Sequence, residues 1–455
     1  MMHTMTLVEL QQPLDALLVG KDREIERVTT DSREAGPGDL FVALHGDNFD
    51  GHDFISQAAD AGAAAALVSR QAGAAISCLQ VADTQRALGQ QGAYNRSAYQ
   101  GPLVAITGSS GKTTVKNMVA AVLSEDGKTL STAGNFNNEI GVPLTLLNLD
   151  PSCEYAVVEM GAAAIGDIAW LCELGRPTIS LLLNVMPAHL EGFGSLEHVA
   201  QAKGEIFDCL DTGSVAIINA DQAWASDWRR RAGEASVIDF SREGEAAVSL
   251  LDARLQGVAG SAFTAATPAG EITVNLVMPG DHNVTNALAA IAVGIACDLS
   301  LEQIRRGLEG VRPVAGRLSA QRIPGGALVI DDCYNANPGS MATALCTLME
   351  LKGFGRAAAA LGDMLELGTH TAEAHRELGR QAAQAGLDFL VIYGNHRQEV
   401  AAGAEEAGLP APQLFPVASQ EEGARLLQDF LKPGDWLLVK GSRSMHLENL
   451  IELLK

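Results

Sequence analysis

The stretch 106–114, I-T-G-S-S-G-K-T-T, limits what this chain can fold into more than any other. An apolar run over 103–106 leads into Gly108, Ser109, Ser110, Gly111, Lys112, Thr113 and Thr114. This order predicts a buried strand, a glycine loop and a helix that starts near Lys112. The common phosphate-loop pattern is G-x-x-x-x-G-K-[ST]; here the glycines are closer, Gly108 to Gly111. The chemistry survives the shortening. Glycines let backbone N–H groups turn toward phosphate oxygens, and the following helix adds the positive end of its dipole. Lys112 is placed to neutralise the β- and γ-phosphates and Thr113 to offer a hydroxyl to Mg²⁺. A purely structural turn is the competing reading, but strand, loop, lysine, paired threonines and helix in order favour a nucleoside triphosphate.

At 455 residues the chain suggests two or three domains. Residues 1–100 read as a separate unit. In it Asp31-Ser32-Arg33 closes a polar stretch, Pro37-Gly38-Asp39 turns into a short strand over 40–44, and an Ala-rich helix over 54–61 precedes a strand over 65–69. Residues 101–313 form the nucleotide-binding region. Apolar runs at 155–160, 178–185 and 214–219 alternate with helical patterns, which predicts a mostly parallel sheet with helices on both faces. Between 247 and 278 short alternating stretches predict antiparallel hairpins attached to that sheet, and 280–283 opens a long helix over 284–297. From 314 to 455, runs at 327–330, 357–361, 389–393 and 436–439 again alternate with helices, as a second α/β unit.

Composition narrows the function. Lys and Arg total 32 against 55 Asp and Glu, a net charge of −23. Such a chain binds nucleic acid and anionic membranes poorly, which disfavours a nucleic-acid motor. No run is long enough to span a bilayer, and residues 1–18 lack a secretory pattern. Cys78, Cys153, Cys172, Cys209, Cys297, Cys333 and Cys346 include no C-x-x-C pair, which points to reduced thiols in a cytoplasmic protein.

Further residue sets carry chemistry. Glu159 ends the run Y-A-V-V-E, where a carboxylate beside a phosphate loop is placed to ligate Mg²⁺ with Thr113; a strand-end ion pair is the alternative. The stretch 132–143, T-A-G-N-F-N-N-E-I-G-V-P, reads as an amide-rich loop closed by an apolar turn. Its Asn135, Asn137 and Asn138 suit sugar hydroxyls and diphosphate, or serve only to reach left-handed backbone angles. His189, in N-V-M-P-A-H, is a metal ligand, a phosphate contact or a structural histidine. Lys203 lies on a helix that begins near Leu196, where a lysine ordinarily snorkels to water. Asp31-Ser32-Arg33 suits an anion or a nucleotide base, or a surface turn. Strand-end Asp331 and Asp332 suit ribose hydroxyls, and Arg317, at the boundary between the α/β units, can reach a triphosphate across a cleft.

Taken together these stretches resemble the Mur ligases, the ATP-dependent amino-acid and peptide ligases of bacterial cell-wall synthesis. T-G-S-S-G-K-T-T, T-A-G-N-F-N-N-E-I-G-V-P, V-E-M-G, A-H-L-E-G-F-G-S, A-K-G-E-I-F, G-D-H-N-V-T-N-A-L-A-A, A-G-R-L and D-D-C-Y-N-A-N-P-G-S occur in the family's order across essentially the whole chain. The resemblance implies three α/β domains: a small N-terminal uridine-binding domain (1–100), a central parallel-sheet P-loop ATPase domain (101–313) and a C-terminal Rossmann-like domain (314–455). It implies ATP and Mg²⁺, a carbamylated Lys203 that ligates metal with Thr113, Glu159 and His189, and adenine held by Asn283 with His282 beside it. Arg317 would meet the phosphates and Asp332 the ribose, with Asp331 leaving that contact ambiguous. Ser32 and Arg33 would hold the uridine end of a UDP-linked substrate, with Asn135, Asn137 and Asn138 near its diphosphate and sugar. Asp363, Lys440 and Ser442 are candidates for the acceptor side. D-x-Y-N-A-N-P-x-S, G-D-M-L-E-L-G and K-G-S-R-S are similar to the branch that joins D-Ala-D-Ala to UDP-MurNAc-tripeptide through an acyl phosphate. A sister ligase with another acceptor and a nucleotide-gated switch protein are the alternatives. The expected protein is a cytoplasmic monomer without nucleic-acid or membrane partners.

Overall fold

The computed structural model describes residues 2–46, 49–70, 76–187 and 190–455. Three larger sheets follow one another along the chain. The first has five strands, in the order Leu17–Val19, Ser77–Gln80, Ala65–Val68, Asp39–Val42 and Arg27–Thr29. All its pairs are parallel except the one that involves Leu17–Val19.

The second sheet has nine strands and is built outward from Leu103–Thr107, an apolar strand buried along its whole length. Its neighbours are Tyr155–Glu159 and Ile179–Leu182, both parallel to it. A strand buried on both faces needs helices on both sides. On one side lie the phosphate-loop helix Lys112–Leu123 and the helix His282–Ala296, which is apolar nearly all round and sits in the core. On the other lie Asp167–Gly175 and Leu196–Asp208. The predicted hairpins are Val248–Leu255, Ser261–Thr267 and Gly270–Leu276, which extend this sheet as an antiparallel edge.

The third sheet has six strands, in the order Ser319–Arg322, Leu328–Asp332, Trp436–Lys440, Ala357–Leu361, Phe389–Ile392 and Leu414–Pro416. Its first pair is antiparallel and the rest are parallel. The molecule is therefore α/β throughout, with the parallel strands of all three sheets sending their C-terminal ends into loops.

One expectation changes. The apolar turn read at the end of 132–143 is the start of a helix, Gly141–Leu147. Asn138 Oδ1 accepts the Gly141 N–H at 3.0 Å, which caps the entry. Pro143 falls in the first turn, where its missing N–H costs nothing.

The units are joined by specific contacts. The helix Thr84–Ser97 carries Asn95, whose Nδ2 donates to the Leu146 and Leu149 carbonyls at 2.8 and 3.0 Å. From the same helix Arg96 donates to the Gly175 and Arg176 carbonyls at 2.8 and 3.1 Å. Glu191 N–H donates to the Glu366 carbonyl at 3.0 Å, which links the second sheet's helices to the third unit.

Candidate active site

The strand Leu103–Thr107 ends in the loop at 108–111, and Gly111 caps the helix Lys112–Leu123 at φ +85°, in the region where a side chain is strained. The loop is fixed by Asn184, at the end of the neighbouring strand. Ser109 N–H donates to the Asn184 carbonyl and Ser110 N–H to its Oδ1, both at 3.0 Å. Ser109 Oγ donates to the Met186 carbonyl at 3.0 Å. The amides of Ser109 and Ser110 are thus committed inside the protein. Those of Gly111, Lys112, Thr113 and Thr114 make no hydrogen bond to any described residue, and they are the donors left for an anion at this helix end. Lys112 Nζ folds back onto the Gly108 carbonyl at 2.8 Å. Burial and Arg317 hold its ammonium below the usual lysine range, while Glu159 pulls the other way.

Around this loop a cavity of about 1050 Å³ opens between the three units. Glu159 is buried at its floor. Thr113 Oγ1 donates to Glu159 Oε2 at 2.9 Å, and Asn137 Nδ2 donates to Oε1 at 2.7 Å. Asn135, Asn137 and Asn138 all line the cavity. The loop that carries them is tied down by Lys116, a buried lysine whose Nζ donates to the Thr132 and Gly134 carbonyls at 2.7 and 3.2 Å. Lys116 escaped the sequence reading, although it lies one helical turn beyond Lys112.

Lys203 does not snorkel. It is 1% exposed, on the face of Leu196–Asp208 that also buries Val199, Ile206 and Phe207, and its Nζ has no hydrogen bond to a described residue. Burial, together with the nearby Lys112, depresses its pKa strongly. His189 lies outside the described residues.

The remaining nucleotide-side residues converge. His282 and Asn283 open the helix His282–Ala296 and line the cavity. Burial pushes the His282 imidazole down to about 4, so it is neutral at physiological pH. Asn283 Nδ2 donates to the Pro279 carbonyl at 2.7 Å, and its Oδ1 accepts from Asn286 at 3.0 Å, leaving one amide hydrogen and one lone pair. Arg317 reaches the cavity with its guanidinium 4.1 Å above the Tyr334 ring.

Asp332, not Asp331, lines the cavity. Asp332 is ion-paired at 2.5 Å with Lys440, its register partner on Trp436–Lys440. Asp331 instead accepts the Gly316 and Cys333 N–H groups, both at 3.2 Å.

Among the described candidates, Gly108, Lys203, Ser32, Arg33, Asp363 and Ser442 are not part of the cavity wall. Ser32 Oγ donates to Gln57 Oε1 at 3.0 Å. Arg33 is 79% exposed and paired with Asp31, whose carboxyl it holds down to about 2. Asp363 spends its carboxylate on the Asn395 and His396 N–H groups at 2.7 and 3.1 Å, and Ser442 Oγ accepts the Leu365 N–H at 3.0 Å. These last two shape a loop rather than face the cavity. Gln85, Asp167, Trp170, Glu191, Tyr334 and Glu366 line it unannounced. They come from all three units, and no local pattern marks them.

The chain matches the family descriptions "Mur ligase family, catalytic domain" over residues 24–92, "Mur ligase middle domain" over 106–294 and "Mur ligase, glutamate ligase domain" over 316–443. It is 42% identical to UDP-N-acetylmuramoyl-tripeptide–D-alanyl-D-alanine ligase of Escherichia coli (strain K12), over 100% of this chain and 99% of that protein. The protein of the same name from Bacillus subtilis (strain 168) is 33% identical, over 94% and 93%. Among solved structures, MurF from Acinetobacter baumannii superposes with a TM-score of 0.93 at 36% identity, covering 100% and 99%. MurF from Thermotoga maritima in complex with ADP gives 0.84 at 29% identity, covering 94% and 97%. With the phosphate-loop helix, Glu159, Arg317 and Asp332 gathered on one cavity, and matches along its whole length, this chain belongs to the Mur ligase family.

Proposed function

We propose that this ligase joins D-Ala-D-Ala to the terminal carboxylate of UDP-MurNAc-tripeptide at the expense of ATP, forming the pentapeptide, ADP and phosphate. The observation that carries the reading is the full-length likeness to relatives of that name, which agrees with one cavity lined by all three units. A sequential reaction of three substrates needs such a shared site. The units divide near residues 100 and 313. The first takes the uridine end, through Ser32 and Arg33 in the loop after Arg27–Thr29; the second takes ATP and the reacting carboxylate; the third takes the amine.

The substrate carboxylate oxygen attacks the γ-phosphorus, the bond to the β-phosphate oxygen breaks, and ADP leaves. The amine nitrogen of D-Ala-D-Ala then attacks the acyl carbon, loses a proton, and phosphate departs with the former carboxylate oxygen. Two anions must meet in the first step. The amides at 111–114, Lys112 and Arg317 offset that repulsion and hold the phosphates in line. His282 and Asn283 hold adenine, Asp332 the ribose, and Asn135, Asn137 and Asn138 the diphosphate and sugar. Lys440 sets Asp332, while Asp363 and Ser442 act on the acceptor side through the loop they shape.

The donors fit Mg²⁺ bound together with triphosphate. Thr113 and Glu159 offer hard oxygen atoms side by side, and no group of three His, Cys, Asp or Glu among the described residues forms a separate protein cage. When bound, the ion neutralises phosphate charge. Lys203 as an ammonium does not suit a metal site; as a carbamate it becomes an oxygen ligand, and His189 is the further ligand that the family resemblance implies. Burial that lowers the lysine pKa favours the free lone pair that reaction with CO₂ requires. The seven free cysteines suit a reducing cytoplasm, where this ligase would act as a monomer.

Phosphate release tests the reading. Turnover should require both UDP-MurNAc-tripeptide and D-Ala-D-Ala and yield a pentapeptide mass. Turnover with another amine in place of D-Ala-D-Ala would move the acceptor, and turnover with ATP alone would remove the ligase assignment.

A further inference from the structure

The loop at 362–368 follows the strand Ala357–Leu361 and is where the third unit meets the second. Its Glu366 carbonyl accepts the Glu191 N–H at 3.0 Å. A Cβ on Gly368, at φ +54°, would lie 3.2 Å from Glu191 Cα. Glu191 belongs to the helix Leu190–Phe193, and both Glu191 and Glu366 line the cavity. A backbone that approaches this closely docks only if the loop keeps its shape.

The shape is held from behind. Leu365 N–H reaches Ser442 Oγ, and Ser442 N–H reaches the Asp363 carbonyl, each at 3.0 Å. Met364 N–H donates to His375 Nε2 at 3.0 Å. That bond requires Nε2 to be unprotonated, so the ring proton must sit on Nδ1, 2.7 Å from the Thr371 carbonyl. His375 has no exposed surface. Facing it are Asp363 Oδ1 at 3.8 Å, the His396 ring at 4.6 Å between centroids, and Glu399 behind His396.

We propose that residues 363–368 are the latch that holds the third unit over the cavity, and that neutral His375 is the positioning residue that keeps the latch in its docking shape. Protonation would turn Nε2 into a second donor aimed at the Met364 N–H and release the loop. Burial and His396 lower the pKa of His375, against Thr371, Asp363 and Glu399, and leave it below the ordinary histidine value. The sign follows. The latch is intact above the ordinary value and is lost as pH falls through the lower folded value. Substrates that need the closed form then bind more weakly, by the fraction still latched.

The test compares His375→Gln, His375→Phe and Gly368→Ala with the wild type, between about pH 5 and 8. Glutamine can accept the Met364 N–H through its carbonyl and cannot be protonated in this range; phenylalanine can do neither. Hydrogen exchange of the peptide around Glu191, corrected for intrinsic rates, reads the latch directly. In the wild type exchange should quicken toward acid, in His375→Gln it should stay slow and flat, and in His375→Phe it should be fast throughout. For His375→Phe and Gly368→Ala, KM for D-Ala-D-Ala should rise about tenfold with kcat within about threefold. A glutamine variant that keeps the wild-type acid limb, or a Gly368→Ala variant with wild-type exchange and KM, would overturn the proposal. The kinetic arm rests on the proposed reaction. The exchange arm does not, so a wrong acceptor would silence the first and leave the second readable.

Discussion

Lys203 is the residue whose chemistry depends most on its surroundings. An exposed lysine would be a protonated cation, whereas this one is buried, makes no hydrogen bond to a described residue and lies close to Lys112. Intact-mass analysis under native conditions should show one added CO₂ on the wild type and none on Lys203→Ala. Activity of the variant should fall at least about 100-fold and recover in part with a short carboxylic acid. An active, unmodified wild type would contradict the carbamate. A second residue-scale expectation concerns the Asp332–Lys440 pair. Asp332→Asn leaves a buried ammonium without its counter-charge, so urea denaturation should show a loss of about 3 kcal/mol, together with weakened ATP binding. The burial of Lys203 was not legible in its spacing, because a lysine on the apolar face that carries Val199, Ile206 and Phe207 ordinarily snorkels to water. The internal use of the Ser109 and Ser110 amides was not legible either, because their partner Asn184 lies on a different strand end, remote in sequence.

At the scale of elements, the third unit depends on one close helix pair. Thr371–Gln384 and Arg397–Glu406 approach so nearly that a Cβ on Gly379 would strike the Val400 backbone, and one on Gly403 the Arg376 backbone. Gly379→Ala should therefore destabilise the protein by about 1–3 kcal/mol, read as a lower urea midpoint at unchanged slope. Lys116→Met should release the asparagine loop and weaken the UDP-linked substrate about tenfold, with ATP affinity changed much less. Strands and long helices were legible because their apolar runs have clear periods and sharp ends. Gly141–Leu147 was not, because glycine and proline in its first turn imitate a loop until the Asn138 cap is known. The amide cluster was legible as chemistry; the buried lysine that shapes it was hidden among helix-forming neighbours.

At the scale of the whole molecule, no one unit contains the site. The phosphate loop and Glu159 come from the second sheet, Arg317 from the boundary before the third, Asp332 from a strand end inside the third, and Gln85 from the first unit. The order of these stretches could be read along the chain, but their convergence is a property of how three sheets pack, which no local pattern encodes. The same distribution explains why loops such as 363–368 matter without touching the reacting atoms. In the proposed reaction ATP is spent on activating a carboxylate. The most direct measurement of this follows ¹⁸O from the terminal carboxylate of UDP-MurNAc-tripeptide during turnover with ATP and D-Ala-D-Ala. Acyl-phosphate chemistry places one labelled oxygen in each phosphate released. Phosphate without label, at the same rate of ADP formation, would mean that water attacks ATP, and the carboxylate-activating role assigned to this cavity would fall.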